Sequence, residues 1–81
     1  MTIYEFTLLS EHDKANLVLD GVFLSDRIEG DMLFQLYYLD DFFVEMWHDV
    51  VLNRIYNMRP FSARRMPEEY LEDISLEDLV G

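Results

Sequence analysis

Few side chains in this 81-residue chain are of types that do chemistry near neutral pH. His48 stands between Trp47 and Asp49, and an imidazole beside a carboxylate is the raw material of a general base. On a strand, however, neighbouring residues project from opposite faces, so His48 and Asp49 do not meet. His12 lies among Glu11 and Asp13 and reads as solvated. Two imidazoles without a single cysteine leave a zinc site dependent on carboxylates, and no metal or other cofactor is expected. Asp26, Glu29, Asp31, Asp40 and Asp41 suggest calcium ligands, but they lack the alternation and the fixed glycine and glutamate of a calcium-binding loop. Turn chemistry explains these carboxylates without a metal. Catalytic residues are therefore expected to be absent, and the chain is expected not to be an enzyme.

Three further groups of residues bear on function. Glu45 falls between Phe43 and Trp47 on an aromatic face, where it either pairs with an arginine of the next segment, Arg54 or Arg59, or stays exposed; a third reading, a perturbed catalytic carboxylate, has no support in the sequence. Phe34, Tyr38, Phe43 and Trp47 form an aromatic set of the kind enriched at the centre of protein interfaces, and they are the candidate interface; the plainer account places them in the core. Arg54, Arg59, Arg64 and Arg65 are four of the six basic residues, with no acid between the first and the last. That candidate basic patch carries +4, leaving −15 elsewhere from 17 acids against Lys14 and Arg27. Its simplest role is to offset neighbouring carboxylates and to keep a sheet edge soluble; the alternative is a patch that binds an anion or an acidic partner.

The element that positions most of these groups is Leu33 to Asp49. With Asp40 and Asp41 at a two-residue turn it reads as a β-hairpin in which Leu39 opposes Phe42, Tyr38 opposes Phe43, Tyr37 opposes Val44 and Gln35 opposes Met46. One face collects Leu33, Gln35, Tyr37, Leu39, Phe42, Val44, Met46 and His48; the other collects Phe34, Leu36, Tyr38, Phe43, Glu45, Trp47 and Asp49. A sheet with one wet side alternates apolar with polar, and this one does not. Each face needs cover, and so short a chain is expected to leave one face incompletely shielded.

The chain's own helices are expected to cover one face, and a further segment, a second copy of the chain or a partner the other. Thr2 and Glu5 have capping-box spacing, which favours a short helix over Ile3 to Leu9 against the competing strand. Ser10 starts a second helix over about 11–20, with Gly21 at the place of a left-handed cap. Strands follow near 22–28, 32–39, 42–49 and 53–59; the apolar Val50 to Leu52 is an odd composition for a turn. Pro60 should end the last pairing, Ser62 to Arg65 is a linker, and Pro67 opens a helix near 67–73 with Tyr70, Leu71 and Ile74 buried. The fold class is α+β in one domain over 1–81: helical over 1–21, an antiparallel four-stranded meander over 22–59, then linker and C-terminal helix over 60–81.

Composition sets the outer bounds. Hydrophobic residues are 51% and aromatics 15%, enough for a packed core despite a net charge of −11. That charge repels phosphate backbones and anionic lipids, so direct nucleic-acid or membrane binding is disfavoured. No apolar run approaches the roughly 20 residues of a spanning helix, and the N-terminus lacks the basic start of a signal peptide. The absence of cysteine agrees with a reducing cytoplasm. Near the isoelectric point of about 4.2 mutual repulsion vanishes and solubility should fall.

The run YYLDDFFVEMWHD leading to RPFSARRMPEEYLEDI, preceded by LVLDGVFLSDRIEGD, resembles a group of small acidic bacterial proteins of uncharacterised function. The resemblance implies a bacterial, cytoplasmic, single-domain protein and carries no active site with it. Two roles compete: a non-enzymatic interaction module that docks on a protein partner or forms a homodimer through the aromatic sheet face, and an acidic immunity or inhibitor protein whose carboxylates mimic nucleic acid.

Overall fold

The computed structural model describes residues 1–71. Its elements follow from local signals. Helix α1, Ile3–Thr7, is closed at its start by a reciprocal capping box: Thr2 N–H donates to Glu5 Oε1 at 2.8 Å and Glu5 N–H donates to Thr2 Oγ1 at 3.1 Å. Helix α2, Glu11–Asp20, begins where Ser10 Oγ accepts the Asp13 N–H at 3.1 Å. No helix among the described residues is long and apolar enough to cross a membrane.

Four antiparallel strands follow in the order β1-β2-β3-β4: β1 Val22–Glu29, β2 Met32–Leu39, β3 Phe42–Asp49 and β4 Arg54–Phe61. The β2–β3 register places Leu39 opposite Phe42, Tyr38 opposite Phe43, Tyr37 opposite Val44 and Gln35 opposite Met46, as the sequence predicts. Two-residue turns join the first three strands, with Gly30 and Asp40 in the left-handed region at φ 60° and 53°. The third turn is Val50 to Asn53. Asp49 Oδ1 accepts the N–H groups of Val51 and Leu52 at 3.0 and 2.9 Å, which lets apolar residues occupy a turn they do not favour.

Two expectations need correction. Gly21 is extended, at φ −76° and ψ −176°, and does not form a left-handed cap. Its small size answers a different demand: a Cβ there would collide with the Leu39 side chain and lie 2.9 Å from the Tyr38 carbonyl oxygen, because the chain passes from α2 directly into pairing with β2. Pro60 does not end the last strand, since pairing continues through Val44–Pro60 to Phe43–Phe61. β4 is an edge strand, and only alternate N–H groups of an edge strand are needed for its single ladder.

The core lies on both sides of the sheet. Five consecutive residues of β3, Phe42 to Met46, are buried. On one side α1 and α2 bring Phe6 and Val18 against Tyr37, Leu39, Phe42, Val44, Met46 and Met58. On the other, the chain beyond β4 doubles back as a strap. The segment read as a linker contains a 3-10 turn, Ala63–Arg65, followed by a single helical turn, Glu68–Leu71. Met66 and Tyr70 of this strap pack on Leu36, Phe43 and Phe61. Of the helix expected near 67–73 the described residues hold only this one turn; the remainder, with Ile74, lies outside them.

Candidate functional site

The strap is fastened through Glu45. Period-two alternation puts Glu45, Phe43 and Trp47 on one face of β3, and register sets Arg59 directly across on β4. Between the two arginines open to Glu45, register therefore selects Arg59, whose Nη2 lies 3.2 Å from Oε1. The same oxygen accepts the Trp47 indole N–H at 2.7 Å. Oε2 accepts the Tyr70 hydroxyl at 2.6 Å and lies 3.7 Å from Arg27 Nη2. Arg27 also pairs with Glu29 at 2.8 Å and rests 4.2 Å above the Phe34 ring.

Glu45 is 1% exposed with both oxygens engaged, so it offers nothing to a substrate. Burial foremost, then the hydrogen bond to Glu45 and the charge behind it, hold the Tyr70 hydroxyl well above the usual phenol range, with Arg27 opposing in part. Tyr70 therefore remains a neutral donor throughout the pH range in which proteins are handled. The constellation is a lock between strap and sheet.

The four candidate interface residues fall into two pairs. Tyr38 and Phe43 meet at 5.1 Å between ring centres beneath the strap; Phe43 also stacks on Phe61 at 5.9 Å and is 1% exposed. Phe34 and Trp47 meet edge-on at 5.4 Å nearer the other end of the hairpin, and both are only half-buried. The four arginines are likewise divided. Arg54 opens β4, whereas Arg64 and Arg65 follow its end, separated by a strand of about 25 Å, and Arg59 between them serves Glu45.

His48 lies half-buried on the helix-side face with Nε2 3.2 Å from Asn53 Oδ1, and Asp49 is engaged with the turn, so the two form no pair. His12 is exposed beside Asn16 at 3.2 Å. Among the described residues no three His, Asp or Glu side chains come together in a way that could hold a metal ion.

What sequence reasoning missed is the far end of the sheet. A register shift between Trp47 and His48 inserts an extra residue, Tyr56, into β4, and its ring stacks parallel to Trp47 at 6.3 Å while remaining 63% exposed. Val50, Val51 and Leu52 stand out at the adjoining turn, Val51 by 67%. The apolar turn composition was the one available signal.

Other exposed apolar residues, Tyr4 on α1 with Leu8 at its C-cap, and Val22 and Phe23 on β1, occupy opposite margins of the sheet, because α1 contacts β4. Comparison with family models, with curated proteins and with solved structures returned no significant match, so function is argued from this geometry.

Proposed function

We propose that the chain is a non-enzymatic interaction module whose contact surface is the open end of the aromatic sheet: Trp47, Phe34 and Tyr56 with the Val50–Leu52 turn. The observation that carries this reading is the exposed Tyr56 ring stacked on Trp47 beside three consecutive exposed aliphatic residues. Single exposed apolar side chains are ordinary on any surface; a contiguous group of aromatic and aliphatic ones marks a contact site. Trp and Tyr also contribute large area at small entropic cost on binding. The Glu45 lock supports the same surface from behind, because the Trp47 N–H that donates to Glu45 fixes the indole on which Tyr56 stacks. The partner is a protein, either a second copy or another chain.

A photo-crosslinking residue placed at Tyr56 in the native host tests this. A discrete protein adduct is expected, absent when the same residue replaces Glu11 and lost with Val51→Asp. No adduct at Tyr56, or equal adducts at both positions, would refute the assignment.

A further inference from the structure

The opposite, helix-side face of the same sheet end holds a groove of about 510 Å³, bounded by Leu19 of α2 and by Asn53, Arg54 and Ile55, with Tyr37, Met46, Gln35 and His48 completing it. We infer that this groove binds a small hydrophobic monocarboxylate. Its volume falls in the range of small-molecule sites, roughly 300 to 1,000 Å³, and such sites pair mostly apolar walls with a few polar groups that fix orientation. Here Leu19, Tyr37, Met46 and Ile55 supply the walls, and Gln35, His48 and Asn53 are neutral or weakly basic.

The sign of the ligand's charge follows from Arg54. Lys14 pairs with Glu11, Arg27 with Glu29 and Glu45, and Arg59 with Glu45, whereas Arg54, Arg64 and Arg65 have no ion-pair partner among the described residues, and of these three Arg54 alone lines the groove. Its cross-strand neighbour is Asp49, whose carboxylate accepts two turn N–H groups instead. A guanidinium that makes no salt bridge among the described residues, at the rim of an apolar groove, suits an anionic head on an apolar body, and its planar fork matches a carboxylate. A second cleft among the described residues, about 250 Å³ beside Gly21, makes the contrast: Asp20 and Asp40 line it and no cation does.

Octanoate and octylammonium are the probes, followed by amide chemical shifts and by calorimetry on the full chain. Octanoate should shift Gln35, Met46, His48 and Ile55 saturably and leave Gly21 and Val22 in place, and octylammonium should do neither. Arg54→Gln, an exposed position, should weaken octanoate about tenfold, the loss of one charge-assisted contact, and Leu19→Ser should weaken it by a smaller factor. Absence of saturable shifts, equal binding of the two probes, or unchanged affinity in Arg54→Gln would overturn the inference. None of these outcomes depends on a protein partner at Tyr56.

Discussion

Tyr38 with Phe43 and Phe34 with Trp47 are cross-strand aromatic pairs on one face of one hairpin, four residues apart on each strand, yet they meet different fates. In the first pair Phe43 is buried under Met66 and Tyr70 of the strap while Tyr38 stays half-buried; in the second both rings stay half-buried and acquire an exposed ring, Tyr56, as their neighbour. Between them sits Glu45, hydrogen-bonded toward the covered side by Tyr70 and toward the open side by Trp47. Like residue types on one face thus serve as core in one place and as surface in another. What separates them is how far a short strap reaches.

Mutation can break that contrast or sharpen it. Phe43→Ala should produce the largest loss, about 3 to 5 kcal/mol in urea unfolding, because it empties a site packed by Leu36, Phe61, Met66 and Tyr70. Glu45→Ala should cost about 3 kcal/mol by leaving the Tyr70 hydroxyl, the Trp47 N–H and Arg59 unpaired, moderated by the access of Arg59 to water and by the Glu29 that Arg27 keeps. Tyr70→Phe removes a single hydrogen bond to a charged group and should cost about 2 kcal/mol, while amide exchange near Ala63 and Met66 accelerates. If Tyr70→Phe were neutral while Glu45→Ala was severe, the strap would be held by packing alone.

The two smallest effects lie far from the lock. Thr2→Ala should cost about 1 kcal/mol at most, seen as faster amide exchange at Phe6 and Leu8. The hydrogen bonds from Thr2 hold the Glu5 carboxyl below its ordinary value of 4.5, so the capping contribution is complete above that pH. It is lost as pH falls through the lower folded value, and the α1 amides should loosen first on acidification. Tyr56→Ser should change unfolding by less than about 0.5 kcal/mol and yet abolish association at the open end. Such association should vary little between low and moderate salt, since it rests on apolar contact; steep salt dependence would favour the nucleic-acid mimic instead.

The central hairpin was legible in the sequence because its information is local. Two aspartates set a two-residue turn, alternation assigned each side chain to a face, and crowded aromatics on both faces required two covers, which α1 with α2 and the strap provide. Thr2, Glu5 and Ser10 announced the helix starts for the same reason, since a cap involves residues only three apart. The partners of Glu45 were not so legible. Arg59 followed once register was known, but Arg27 reaches it from two strands away and Tyr70 from 25 positions along the chain. Nor does alternation reveal that one extra residue in β4 would lay Tyr56 over Trp47, or that Asp49 would favour its turn and make no salt bridge to Arg54. The sequence by itself determined the pairing and the faces, through a periodicity of two residues. Tertiary structure alone decided which parts of those faces stay open and which charges stay unpaired, because both depend on contacts between segments whose separation no local pattern encodes.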